Sequence, residues 1–168
     1  MTVVLRAREP ADAALLASWF GDAETMRWWD RVYPPLPAEV MAERIAAEPP
    51  VGFGSLSFMV DAGRETVGWG GLHHPSPEHR HCGLGVLVGP GHRGRGHGEA
   101  ATRALCRFAF DRMNLVRVSL TVFPGNDVAR RVYERVGFVE EGVQRRAFWK
   151  RGEWHDLVHM AAFPDTLR

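Results

Sequence analysis

The sequence predicts an α+β domain: a mixed, mostly antiparallel sheet of about seven strands with helices on its flanks. Three observations carry this. Strand-like segments recur along the chain, at 3–8, 53–60, 65–72, 84–88, 116–122, 138–149 and 154–163. Helical signals are confined to 12–20, 38–47, 99–113 and 127–136. Only the passage 84–136 alternates as β-loop-α-β-α, so a doubly wound sheet is excluded.

The first helix shows an apolar face through Ala13, Leu16, Ala17 and Phe20 and stops at Gly21. An aromatic stretch follows, with Met26, Trp28, Trp29 and Tyr33 running into Pro34, Pro35 and Pro37. It predicts a loop or broken helix, because proline supplies no interior donor. The helix 38–47 is ended by Pro49 and Pro50, and the strands 53–60 and 65–72 meet across a turn at 61–63. Residues 73–81 are polar and read as a connection. The helix 99–113 carries Ala101, Leu105, Phe108 and Arg112 on one side. The helix 127–136 ends at Gly137, and the last two strands turn at 150–153.

At 168 residues and 18.8 kDa the chain suits one domain, 1–168, with no internal repeat. Hydrophobic residues at 45% and charged residues at 24% argue against disorder. Residues 1–60 carry net −3 and residues 61–168 net +4, so an anionic ligand belongs with the second part and a cationic one with the first. Cys82 and Cys106 are the only cysteines and form no CxxC pair. The start carries no signal pattern and no apolar run approaches a membrane span, so the expectation is a cytoplasmic protein with no membrane partner.

The strongest constellation is the turn after strand 84–88, with glycines at 91, 94, 96 and 98 leading into the helix. A glycine-rich turn entering a helix aims unpaired amides outward and adds the positive end of the helix dipole, which suits a phosphate or pyrophosphate. Arg93, Arg95 and His97 add donors nearby. Four ligand classes compete. A P-loop requires Lys-Ser/Thr after the glycines, and none follows. A dinucleotide fingerprint is present only as Gly96-x-Gly98-x-x-Ala101, too far from its strand and with no acidic ribose partner in 116–122. A nucleic-acid segment is expected to be longer and not pinned between strand and helix, so no nucleic-acid partner is expected. Coenzyme A remains.

Here the residues resemble a family. Leu84-Gly85-Val86-Leu87-Val88 followed by Arg93-Gly94-Arg95-Gly96-His97-Gly98 is similar to the Gln/Arg-x-x-Gly-x-Gly/Ala motif of the GCN5-related N-acetyltransferase (GNAT) superfamily. The segment 126–142, with Asn126, Tyr133, Gly137 and Phe138, resembles the family's second cofactor segment. Gly152 and Asp156 make the chain most similar to the branch that acetylates ribosomal-protein amino termini, spermidine and some aminoglycosides.

The resemblance implies acetyl-CoA as cofactor. Amides of Arg93, Gly94, Arg95, Gly96, His97 and Gly98 would hold its pyrophosphate. A bulge near Leu87 and Val88 would splay two strands, and Val86, Leu87 and Val88 would meet the pantetheine arm. Asn126 would contact that arm, or cap the helix at Asp127, or both. Tyr133 would protonate the departing thiolate; the bland alternative is a core tyrosine sharing a face with Ala129 and Val136. An amide at Val88 would stabilise the oxyanion.

The implied activity is direct acetyl transfer to a primary amine: a protein N-terminus, a polyamine or an aminoglycoside-like small molecule. The alternative is a non-catalytic acyl-CoA sensor of the same fold. Trp28, Trp29 and Tyr33 are the candidate acceptor walls. The base stays unnamed among His73, His81, Glu24, Asp30, Glu78 and a water relay. His73, His74, His79 and His81 match no zinc spacing, so no metal is expected. Cys82 lacks a His-Asp arrangement and reads as a bystander rather than a nucleophile. The late strands and exposed aromatics are compatible with a homodimer.

Overall fold

The computed structural model describes residues 2–29, 35–48 and 54–168. Seven strands form one sheet: β1 (Val4–Ala7), β2 (Leu56–Ala62), β3 (Glu65–Ser76), β4 (His81–Val88), β5 (Arg117–Val122), β6 (Val139–Lys150) and β7 (Glu153–Ala162). Their spatial order is β1-β2-β3-β4-β5-β7-β6, and every neighbouring pair is antiparallel except β4 and β5. The helices are α1 (Ala13–Gly21), α2 (Ala23–Arg27), α3 (Ala38–Ala46), α4 (His97–Arg107) and α5 (Asp127–Val136). The expected α+β class and mixed sheet are what the chain adopts.

Local chemistry explains the boundaries. Asn126 accepts the Ala129 amide at 3.2 Å and starts α5; Gly137, at φ 114°, ends it. Helix α4 begins at His97, two residues before the predicted start, because Gly96 turns the chain at φ 81° and its carbonyl already accepts the Ala100 amide. The predicted run to 113 is not one α-helix: Phe108–Arg112 widens into a π-turn. There Phe108 meets Phe58 edge-on, 4.9 Å between ring centres.

Two elements differ from expectation. Helix α2 was hidden in the residues before the aromatic stretch, and Asp22 caps it by accepting the Thr25 amide at 2.7 Å. Residues 73–81, read as a connection, instead extend β3 to Ser76 and start β4 at His81, because His73 still pairs with Gly83 and Ser76 with His81 across a register shift. The stretch is polar because much of it faces solvent while its backbone stays paired.

The main core lies between the sheet and α4 and α5, around Leu72, Leu84, Leu105, Val118, Val136 and Met160. Gly70 permits this packing, because a Cβ there would stand 2.6 Å from Leu105 Cδ1. A second cluster joins Leu16 and Trp19 of α1 to Ile45, Met59, Trp69 and Leu87 on the other side. Arg6 ties β1 to that side. It donates to both oxygens of Asp12 at 2.7 and 2.8 Å and to Asp61 at 2.8 Å, while Thr66 donates to Asp61 at 2.8 Å. The Arg6 guanidinium holds the Asp12 carboxyl below its ordinary range.

Replacing Arg6 leaves the nearly buried Asp12 without its cation. Arg6→Leu is expected to cost about 2 kcal/mol by urea denaturation. Because Asp12 has a depressed folded-state pKa, its contribution is present above pH 4 or so and is lost as pH falls through the folded value. The variant's deficit therefore narrows in acid.

Candidate active site

Strands β4 and β5 pair at three positions only, His81 with Arg117, Cys82 with Val118 and Gly83 with Ser119. Beyond Gly83 they diverge. On its other edge β4 stays paired with β3 from Gly83 to Val88 without a register shift. The splay expected from a bulge at Leu87 and Val88 is therefore produced differently, by β5 leaving β4 after Ser119. The one register shift between β3 and β4 lies at the opposite end, between His73 and Ser76.

The parity of the strand tells which groups face the split. Gly89 donates to Val67 on β3, so odd-numbered residues of β4 bond toward β3 and even-numbered ones face the other way. Ser119 Oγ donating to the Cys82 carbonyl at 3.3 Å agrees. The Leu84 N–H belongs to the last rung with Ser119, so it is the Leu84 carbonyl and the main-chain groups of Val86 and Val88 that turn toward the split. The Leu87 side chain is buried in the second cluster, leaving its neighbours' main chain as the wall.

The split opens into a cavity of about 1160 Å³. At one end lies the glycine turn, with Gly94 at φ 75° and Gly96 at φ 81°. These left-handed values keep side chains out and the space around both glycines is open. Among the described residues the amides of 94–99 have no protein acceptor; Ala100 is the first to find one, the Gly96 carbonyl at 3.1 Å. Five of these residues, Gly94, Gly96, His97, Gly98 and Glu99, line the cavity, so acceptor-free N–H groups at the start of an 11-residue helix give it a positive end suited to an anion. His97 is 8% exposed and its Nδ1 has no hydrogen-bond partner.

The basic side chains of the turn are used differently from expectation. Arg93 points to α2: its guanidinium donates to Thr25 Oγ1 at 2.5 Å and Asp22 Oδ2 at 3.3 Å, with Glu24 at 3.7 Å. Its Nε donates to the Val88 carbonyl at 3.4 Å. Thr25 first, then Arg93, holds the Asp22 carboxyl below its usual range. The Arg95 side chain is exposed and lies outside the cavity lining. Glu99 accepts from Arg135 at 2.8 Å and Arg103 at 3.0 Å, clamping α4 to α5.

Across the split stand Asn126 and Tyr133, both lining the cavity. Asn126 Oδ1 is occupied by the cap on Ala129, which leaves its amide nitrogen for another partner. Tyr133 is half-buried with its ring against Phe138 at 5.7 Å. Its hydroxyl makes no hydrogen bond among the described residues, and burial pushes it up to about 12.

Another part of the cavity lining is aromatic. Trp29 packs inward, edge-on to Phe20 at 5.6 Å and to Trp69 at 5.8 Å. Trp28 faces the other way, toward Gly125, beside Asn126. Both tryptophans singled out from sequence line the cavity; Tyr33 lies outside the described residues. The sequence reading missed Trp69, which completes this wall from β3. Its signal was a tryptophan within a run of glycines, Gly68, Gly70 and Gly71. Of the base candidates His73 and Glu24 line the cavity, His73 stacked on Trp69 at 5.9 Å, while Asp30 is outside the described residues. His79 and His81 stack on each other, 6.3 Å apart, away from the cavity lining. Among the described residues no group of three His, Cys, Asp or Glu side chains is arranged to hold a metal.

Cys82 and Cys106 are both free and fully buried. Burial pushes the Cys82 thiol up to about 11 and that of Cys106 to about 12, so neither forms a thiolate near neutrality. Iodoacetamide is expected to label neither cysteine in the folded protein near neutral pH and both in urea, as read by intact mass.

Comparison with known proteins agrees with this architecture. The model of the acetyltransferase (GNAT) domain matches residues 2–139. The putative ribosomal N-acetyltransferase YdaF of Bacillus subtilis is 36% identical over 88 residues, 52% of this chain and 48% of that protein, so the match spans about half of that relative's length. The crystal structure of spermidine N-acetyltransferase from Vibrio cholerae, in complex with CoA and spermine, superposes with a TM-score of 0.88 at 24% identity, covering 98% of this chain and 97% of that one. Mycobacterium smegmatis RimJ in complex with CoA-disulfide gives a TM-score of 0.82 at 25% identity, covering 97% and 82%.

Proposed function

The chain belongs to the GNAT acetyltransferase family, and from that premise we propose that it transfers an acetyl group from acetyl-CoA directly to a primary amine. The observation that carries the reading is the split between β4 and β5, walled by main-chain groups of β4 that β5 does not pair and ending at the acceptor-free amides of the glycine turn. These groups fit the cofactor. The arm of coenzyme A has peptide-like amides, which suit the main chain of Val86 and Val88, and its pyrophosphate suits the amides around Gly94, Gly96 and Gly98. The amide nitrogen of Asn126 is available to the arm from the facing side. Arg93 serves this cofactor indirectly, by tying the turn to α2.

Bound acetyl-CoA supplies a thioester with an electrophilic carbonyl and a thiolate leaving group. The chain supplies fixed dipoles and a proton. The Val88 N–H, directed into the split, is our candidate for an oxyanion donor of the preorganised kind. Tyr133, like any tyrosine, keeps its proton past neutrality, and burial extends that range upward, so its phenol is available as an acid over the whole working range. The amine enters from the aromatic part of the lining, between Trp28, Trp29 and Trp69. The names of relatives include a putative ribosomal N-acetyltransferase and a spermidine N(1)-acetyltransferase, and for this chain we propose as acceptor a primary amine, on a protein amino terminus, a polyamine or an aminoglycoside-like small molecule.

Calorimetry with acetyl-CoA tests the cofactor site. Wild-type binding should weaken about hundredfold or more in a Gly96→Glu, Gly98→Glu double variant, where side chains and negative charge enter the cradle. Folded wild-type protein that does not bind acetyl-CoA overturns the reading. Tyr133→Phe should lower kcat by about 10²-fold with acetyl-CoA affinity unchanged. In the wild type, kcat should show no alkaline fall through pH 10, the ordinary tyrosine value. Binding without transfer to any amine, together with indifference to Tyr133→Phe, would instead identify a non-catalytic acyl-CoA sensor.

A further inference from the structure

Lys150 is the only lysine of the chain and stands at the end of β6, far in sequence from the aromatic wall. Its ammonium donates to the carbonyls of Met26 at 2.6 Å, Trp29 at 2.7 Å and Arg27 at 3.2 Å. Helix α2 has only five residues, and the carbonyls at and just past its end are weakly paired, that of Met26 taking the Trp29 amide at 3.5 Å, and lie at the negative end of the helix. An ammonium offers three donors in a tetrahedral spread, which converging carbonyls can share; a planar guanidinium fork cannot reproduce that spread. The rings of Phe123 and Phe148 lie 5.6 and 6.0 Å from Nζ and add cation–π attraction.

The consequence is a segment held at two ends by different parts of the site. Arg93, from the cofactor turn, grips Asp22 and Thr25 at the start of α2. Lys150, from the β6–β7 hairpin, grips the carbonyls at its end, on either side of Trp28. Trp28 and Trp29 hang from this second anchor, one against Gly125 and the other against Phe20 and Trp69. We propose that Lys150 is a positioning residue for acceptor recognition, fixing the Trp28–Trp29 wall without touching the cofactor turn. The assignment rests on the acetyltransferase reading for the word acceptor; the anchoring itself does not.

The test uses the full chain with Lys150→Met and Lys150→Arg. Hydrogen exchange followed by mass spectrometry should show amides in 23–29 exchanging about tenfold faster in Lys150→Met, with α4 unchanged and Lys150→Arg intermediate. Acetyl-CoA affinity by calorimetry should stay within about twofold of wild type in both variants. With spermidine and a serine-initiated tripeptide amide as acceptors, KM for the amine that the wild type uses should rise about tenfold in Lys150→Met while kcat holds within about twofold. Lys150→Arg should recover part of that loss. Unchanged exchange across 23–29, acceleration spread equally over α4, or a matching loss of acetyl-CoA affinity would each overturn the proposal. So would a fall in kcat with KM unmoved. A wild type that acetylates neither amine counts against the transfer reading alone, and exchange and calorimetry still decide the anchoring.

Discussion

Parallel pairing between β4 and β5 stops at Gly83 and Ser119, and from there β4 keeps a partner on one edge only. A strand in the middle of a sheet ordinarily satisfies its main chain on both sides, because an unpaired buried amide costs about 1–3 kcal/mol. Here the Leu84 carbonyl and the inward groups of Val86 and Val88 are kept away from that penalty by leaving the gap wide and open rather than closing it with side chains. The cavity, the facing positions of Asn126 and Tyr133, and the run of β4 into the glycine turn all follow from that separation. The core beneath permits it: Leu84, Leu105, Val118 and Leu120 pack below the sheet and hold the two strands at fixed positions although they no longer touch.

The second organising feature is the way charge is spent around the cavity. Arg93 neutralises Asp22 and approaches Glu24, Glu99 is taken by Arg103 and Arg135, and Lys150 is taken by main-chain carbonyls. The anion cradle is thus made of backbone amides and a helix terminus, which do not titrate. The acid candidate, Tyr133, is neutral like any tyrosine near neutrality, and burial extends that range upward.

Much of the fold was legible because it is local. The glycine turn could be read from its own glycines; helix 127–136 from Asn126, Gly137 and the apolar spacing between them; and the antiparallel tail from two long strand-like runs around a short turn. The stretch 73–81 was misread for an equally local reason, since solvent-facing polar residues resemble a loop even when their backbone is paired. Trp28 and Trp29 were singled out as wall residues, yet the inward role of one and the sideways role of the other depend on Phe20, Trp69 and Gly125.

The sequence by itself determined the order of the strands and of the four longer helices, the strand-turn-helix setting of the anion cradle, and the resemblance that led to the family. Each is written in the dihedral preferences and apolar spacing of neighbouring residues. Only the tertiary structure decided where β4 and β5 part, that Arg93 turns to α2, that Trp69 joins the wall, and that Lys150 anchors it. Those contacts join residues 68 to 124 positions apart at Arg93 and Lys150. At such separations no local preference selects a partner. Which carbonyl or carboxylate a cation meets is set by the packing of the sheet against its helices, after the local elements have formed.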